Sequence, residues 1–315
     1  MLAARIRSGL VETEHQGVVS AFDSNGQLIA WSGDLDRPFY LRSSAKPFQA
    51  FVTLEAGARL NPLQTALAAA SHDGFPAHVS IVKSILEEGG LTEDHLQCPP
   101  DWPLGARARD RLNREDHTGP RRLWHNCSGK HAGWLRACQA QGWPLDNYLS
   151  PEHPLQRRIV DFVTEIGETP AAPVGVDGCG APVLRTTARA MGLMFSRLAT
   201  EERFHMVLDA MHTYPALVSG VDNGDTSIAI ATNSAAKRGA AGCIGIGVRG
   251  LWGVAVKAWD GNDTVAALAA AAVLLALGAV SDAGLAQLSA TSSPAVLGGG
   301  APVGSFEPRL ELTWS

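Results

Sequence analysis

The rhythm of hydrophobic and polar positions changes several times along the chain. Near its start, Val18-Val19-Ser20-Ala21-Phe22 and Leu28-Ile29-Ala30-Trp31 are short apolar runs flanking Asp23-Ser24-Asn25-Gly26. Asn-Gly supplies the positive φ angles of a tight turn, so this segment reads as a β-hairpin. From Lys46 onward apolar residues fall at helical spacing. Helices are expected over 46–58, stopped at Gly57, from Asn61 or Pro62 to about Ser71, and over 77–88, closed by Gly89-Gly90. The stretch 98–123 is rich in Pro and Arg with weak periodicity, which predicts an irregular surface excursion. Helical spacing returns over 128–141, 155–165 and 181–190. Residues 227–232 and 242–256 have the glycine-bearing, β-branched texture of buried strands. A last helix over 264–277 precedes a Gly/Pro-rich tail. With no repeat and no linker, strands at both ends around a helical middle predict one α+β domain over 1–315 whose terminal strands share a sheet.

Composition narrows the class. Apolar residues make up 45% and charged residues 18% of 315, the balance of a globular chain. The net charge of −5, without a run of either sign, argues against a nucleic-acid or anionic-membrane surface. The apolar run at 265–277 is too short for a bilayer, and the first residues lack the apolar stretch of a secretory signal. An odd set of five scattered cysteines (Cys98, Cys127, Cys138, Cys179, Cys243) suits reduced thiols and a cytoplasmic location.

Three clusters carry candidate chemistry. In Arg42-Ser43-Ser44-Ala45-Lys46-Pro47, Ser43 and Lys46 share a face of one helical turn. A desolvated lysine can be neutral and take the proton of an attacking serine hydroxyl. Pro47 biases Lys46 away from helical angles unless the proline stands in the helix's first turn. As a bare pattern, Ser-x-x-Lys is weak, because both residues are common. In His125-Asn126-Cys127-Ser128-Gly129-Lys130-His131, a lysine beside a cysteine favours thiolate, a nucleophile and a soft metal ligand. The same stretch also reads as a plain helix start capped by Asn126 or Ser128. Finally, Asp177-Gly178-Cys179-Gly180 presents a cysteine on a tight turn; with Cys127 it would give two thiolates toward a zinc site, although the usual second Cys-x-x-Cys is missing.

Together these segments resemble the asparaginase II family, the rhizobial inducible, thermolabile type. The resemblance rests on residues 42–50, Ser71-His72, Asn126 through Gly133 and Asp177 through Pro182, in the family's order and over nearly the whole chain. It implies a fold similar to serine β-lactamases and glutaminases, with a mainly antiparallel mixed sheet, flanking helices and assembly as a homodimer. It further implies an L-asparagine amidohydrolase in which Ser43 with Lys46 is nucleophile and base and Ser71 with Lys257 a second pair. Arg42, His72, Asp177 and Gly178 would bind the substrate, Asp177 facing its ammonium group, and Cys127, Lys130 and Cys179 would hold zinc. Cys243 stands where the family has another cysteine near the site. This chain departs from the family at Asp73-Gly74-Phe75, where Ser-Gly-Glu is usual, and at Ala241, where the family has glutamate. Both changes bear on substrate identity. The alternatives are a glutamine or related amidase, a thiol amidase with Cys127 as nucleophile and His125 or His131 as base, and a non-catalytic amino-acid- or zinc-binding relative.

Overall fold

The computed structural model describes residues 1–115, 119–280, 284, 286–288 and 295–315, so parts of the expected 98–123 excursion and of the tail lie outside the described residues. Its centre is a six-stranded sheet in the order Thr313–Trp314, Leu28–Ser32, Gly17–Phe22, Trp252–Ala258, Cys243–Val248, Ser234–Gly239. Every strand pairing in it is antiparallel. The expected hairpin is present, its turn closed by Asp23, whose carboxylate accepts the N–H groups of Asn25 and Gln27. The expectation that distant strands share a sheet also holds, since Gly17–Phe22 pairs with Trp252–Ala258.

The two faces of this sheet bury different partners. Ile244, Ile246, Val248, Val254 and Val256 pack with the helices Gly224–Thr232 and Asp263–Ala276. The opposite face carries Ala235, Cys243 and Ala255 against the larger helical layer. Here the glycines of the strands explain themselves. A Cβ on Gly253 would lie 1.9 Å from the Ser196 nitrogen, and one on Gly245 would meet the Phe195 ring at 2.0 Å. The helix Ala188–Thr200 is therefore seated with its backbone almost on the strands.

The helix Lys46–Glu55 sits in this layer, anchored by Phe48 edge-on to Phe195 and by Phe51 against Phe162 and Phe204. Each such ring contributes about 1.5–3 kcal/mol on full burial. Beside it lie Pro62–Ala68, Pro76–Glu87 and Ser128–Gln141, close to the expected bounds. Pro154–Gly167 and Asp263–Ala276 match expectation equally well.

Three expectations fail, while the Gly/Pro-rich tail supplies the expected terminal strands. Residues 181–190 are not a helix but the short strands Pro182–Val183 and Arg185–Thr186. The helix begins only at Ala188, where the Thr187 hydroxyl caps the N–H of Ala190. Residues 227–232 are not a strand; they belong to the helix Gly224–Thr232, whose buried Asp225 ties it to the edge strand through the Arg238 N–H. The 98–123 stretch contains a helix, Ala106–Arg114. The tail returns as strands Val296–Gly298 and Ala301–Pro308, which form a second antiparallel sheet with Ala3–Arg7 and Leu10–His15. Among the described residues, no helix is long and apolar enough to cross a membrane.

Candidate active site

Arg42–Ala45 form a single 3-10 turn that runs directly into the helix at Lys46. Pro47 stands in that helix's first turn, and Lys46 keeps helical angles (φ −61°, ψ −35°), which resolves the tension between the proline and its predecessor. Arg42 holds a positive φ of 50°, uncommon for a residue with a side chain, immediately before Ser43. Gly239 lets the edge strand approach this turn, since a Cβ there would lie 2.6 Å from the Leu41 carbonyl oxygen. The result is a cavity of about 200 Å³ lined by Ser43, Ser71, Leu104, Asn126, Arg238, Gly239, Ala240 and Asp263. Its size suits a small metabolite.

Ser43 and Ser71 thus face one cavity, but Lys46 engages only one of them. Its Nζ donates to the carbonyl of Ala70 at 2.6 Å, to Ser71 Oγ at 2.9 Å and toward Cys127 Sγ at 3.1 Å. Burial pulls the lysine below its usual range, against the Cys127 sulfur, which favours the charge. A neutral amine in this position keeps its bond to the Ala70 carbonyl and offers a lone pair to the Ser71 hydroxyl.

The second expected pair is not assembled. Lys257 lies on the strand Trp252–Ala258, opposite Cys243, and its Nζ donates to the carbonyls of Ala241 and Ala258 beside the Trp259 ring, not to Ser71. Besides Lys130, whose charge acts on Lys46, the edge strand carries a fully buried lysine, Lys237, that itself feels the Lys46 charge. Burial lowers it to about 7, partly offset by the Asp225 carboxylate 4.0 Å away. Asp225 also accepts from Ser219 Oγ at 2.5 Å, while its Oδ1 has no hydrogen-bond partner. A lysine inside an Ala- and Gly-rich strand was the signal in the sequence, and it passed unread.

Other expected site residues divide. Arg42 and Asp177 meet as an ion pair, at 2.8 and 2.9 Å, and Asp177 accepts the Gly178 N–H. His72 is fully buried and its ring is used internally: Nε2 lies 2.9 Å from Ser128 Oγ, and Nδ1 accepts the Gly74 N–H. Burial keeps it well below the ordinary histidine range; the ring braces the Ser71 loop and is not among the residues lining the cavity. Asp73 packs against Gly220 and Gly105, and neither it nor Phe75 lines the cavity. Gly129 is needed for packing, because its Cβ would lie 2.5 Å from the Leu67 carbonyl oxygen.

Cys127, Lys130 and Cys179 do converge, all buried. Lys130 Nζ lies 3.3 Å from Cys179 Sγ and 4.3 Å from the Trp134 ring centre. Cys127 and the Lys130 charge pull the Cys179 thiol down against burial, while Cys179 and burial push Cys127 up. Burial opposes the Lys130 charge, but the two sulfurs outweigh it. His131, next along the helix, has a buried Nε2 without a hydrogen-bond partner. Among the described residues, no cluster of three or more His, Cys, Asp or Glu could hold a metal, so a metal here depends on Lys130 as third ligand. Two sulfurs and an amine fit zinc's preference for soft and nitrogen donors. The same geometry disfavours Cys127 as nucleophile: its thiol is raised, it lies outside the cavity lining, and His125 Nδ1 is taken by the Cys127 N–H.

A family model described as L-asparaginase II matches residues 3–308 of the chain. The chain belongs to the L-asparaginase II family. No curated protein matches the sequence. Among solved structures, Mglu in its native form is similar at 14% identity, over 84% of this chain and 65% of that one, with a TM-score of 0.45. Native Mglu in 4.3 M NaCl gives 15% identity, 87% and 63% coverage and a TM-score of 0.48. The chain spans less than two thirds of the length of either, and likenesses at this level carry neither the fold nor the chemistry.

Proposed function

We propose that this L-asparaginase II family member hydrolyses the side-chain amide of L-asparagine to L-aspartate and ammonia by serine–lysine acyl transfer. The observation that supports it most is the buried Lys46 amine bonded to Ser71 in a cavity that also presents Ser43. In this reading Ser43 is the nucleophile, at the open start of its 3-10 turn, and Ser71 with Lys46 accepts its proton. Ser43 Oγ forms a bond to the amide carbon while its proton passes through Ser71 to Lys46. The C–N bond breaks as that proton is delivered to the leaving nitrogen. Water then cleaves the ester, releasing aspartate and restoring Ser43.

Cys127, Lys130 and Cys179 would hold zinc; when bound, it supplies a fixed positive charge that keeps both sulfurs deprotonated. The chain is read as one catalytic domain over 1–315 of the serine β-lactamase/glutaminase type, supported by the antiparallel sheet covered on both faces by helices. A second reading has one observation behind it. Ser71, not Ser43, is the serine in contact with Lys46, which makes Ser71 an alternative nucleophile.

The test is ammonia release by the purified protein from L-asparagine and, in parallel, L-glutamine. Release from asparagine, lost in Ser43→Ala, is expected. Silence on both amides, or full activity in Ser43→Ala, overturns the reading.

A further inference from the structure

An amino acid bound for side-chain chemistry needs a cation for its α-carboxylate and an anion for its α-ammonium group, both opening onto the reacting serine. Arg42 and Asp177 have the right charges but satisfy each other, and neither lines the cavity that holds Ser43 and Ser71. Arg238 and Asp263 do line it. They also line the adjoining cavity of about 150 Å³, so they stand where the two spaces meet.

Arg238 is unusually idle for a half-buried guanidinium. Its side chain, 26% exposed, donates no hydrogen bond among the described residues, and its nearest counter-charge, Asp225 Oδ1, is 3.9 Å away. That oxygen is itself buried and without a hydrogen-bond partner, so the two groups leave each other unsatisfied. The neighbouring carboxylates are committed elsewhere. Asp225 Oδ2 accepts from Ser219 and the Arg238 backbone and Asp222 faces Arg107 at 3.3 Å, while Asp73, raised by burial, feels the Arg238 charge without forming an ion pair with it among the described residues. Asp263, at the exposed rim, uses Oδ1 to accept the Gly242 N–H at 2.7 Å, and its other oxygen has no hydrogen-bond partner among the described residues.

We propose that Arg238 recognises the α-carboxylate of the substrate and Asp263, lining the same cavity, its α-ammonium group. This rests on the amino-acid amidase reading above and names the residues that make the site select a free α-amino acid over a simple amide. A planar guanidinium with open donors binds a carboxylate bidentately, which a lysine at the same position would not reproduce.

The discriminating experiment compares L-asparagine with β-alaninamide, which keeps the amide and the amine but lacks the carboxylate. Wild-type protein is expected to prefer L-asparagine by at least about 30-fold in kcat/KM, the cost of leaving one partner of a charge pair unmatched. Arg238→Gln is expected to lose most of that preference through a raised KM, with kcat for β-alaninamide little changed. Arg238→Lys, which keeps the charge, should fall between them and guards against misfolding of the glutamine variant. Full retention of the preference in both variants overturns the proposal. Calorimetry with L-aspartate on the wild type and Arg238→Gln separates it from the catalytic reading. Binding that is weakened by Arg238→Gln supports the arginine's role even where no ammonia is released. Absence of α-amino-acid binding to the wild type overturns it.

Discussion

Lys46 Nζ lies 2.9 Å from Ser71 Oγ and makes no hydrogen bond to Ser43, although Ser43 is the serine three residues before it. Ser43 and Lys46 meet through the backbone, the Lys46 N–H donating to the Ser43 carbonyl, while the Lys46 amine reaches a serine 25 residues away. Removal of the Ser71 hydroxyl therefore breaks the path between Ser43 and its base. Ser71→Ala is expected to lower kcat for L-asparagine by about 10²–10⁴-fold, the range of a general acid–base contribution, with KM little changed. Mass spectrometry after acid quench checks the assignment: an acyl adduct on a Ser43 peptide is expected, and one on Ser71 would favour the second reading.

Lys237 gives the fold a pH dependence that can be assigned to one residue. Its folded-state value of about 7 lies below the ordinary 10.5, through burial first, with Asp225 opposing and Lys46 and Arg238 adding to the depression. Between those two values the unfolded chain binds a proton that the folded chain does not, so stability rises with pH. Below pH 7 both states are protonated and the slope vanishes. Urea unfolding from pH 7 to 9 should show the wild type gaining on the order of 2 kcal/mol relative to Lys237→Met. Parallel curves for the two proteins would count against a depressed Lys237.

Zinc is expected at about one atom per chain in protein purified without chelator, as for a site with three protein ligands. Elemental analysis should show that content collapse in Cys179→Ser and in Lys130→Met. Chelation should lower the unfolding midpoint of the wild type but not of either variant, because only the native state holds the ion.

Two glycines of one helix should respond to alanine in opposite directions. At Gly129 the new Cβ would lie 2.5 Å from the Leu67 carbonyl oxygen, and Gly129→Ala is expected to cost about 1–3 kcal/mol. At Gly133 the neighbours, Ala68 Cβ and Thr53 Cγ2, are at 3.4 Å, an ordinary contact. Gly133→Ala should stabilise by up to about 1 kcal/mol through helix propensity. Chemical denaturation of both variants measures the difference.

Much of this was legible in the chain. The hairpin announced itself through Asp23-Ser24-Asn25-Gly26, and most helices through spacing and a proline in the first turn. The Ser43, Ser71 and Cys127 clusters were visible as motifs. What could not be read was set by tertiary contacts. The helix Gly224–Thr232 carries a strand-like sequence, held helical while its Asp225 anchors the edge strand. Lys257 and Lys237 are both lysines in apolar strands on one face of the sheet, and only their tertiary partners separate them: Lys257 donates to the Ala241 and Ala258 carbonyls, and Lys237 lies 4.0 Å from Asp225. His72 looked like a substrate ligand until its ring was seen bonded to Ser128 and the Gly74 N–H.

The pairing of Gly17–Phe22 with Trp252–Ala258 has a consequence for how the molecule comes into being. On the ribosome, Ser43, Lys46 and Ser71 emerge early, but the strand bearing Lys237 and Arg238, and the sheet that supports it, are completed only when the chain beyond residue 252 has followed. Until then the nascent hairpin presents a bare strand edge, a template for pairing with other chains. Such a topology folds late and slowly, because its central contact spans most of the polypeptide. Truncation before Trp252 should therefore yield aggregates in place of a smaller working enzyme.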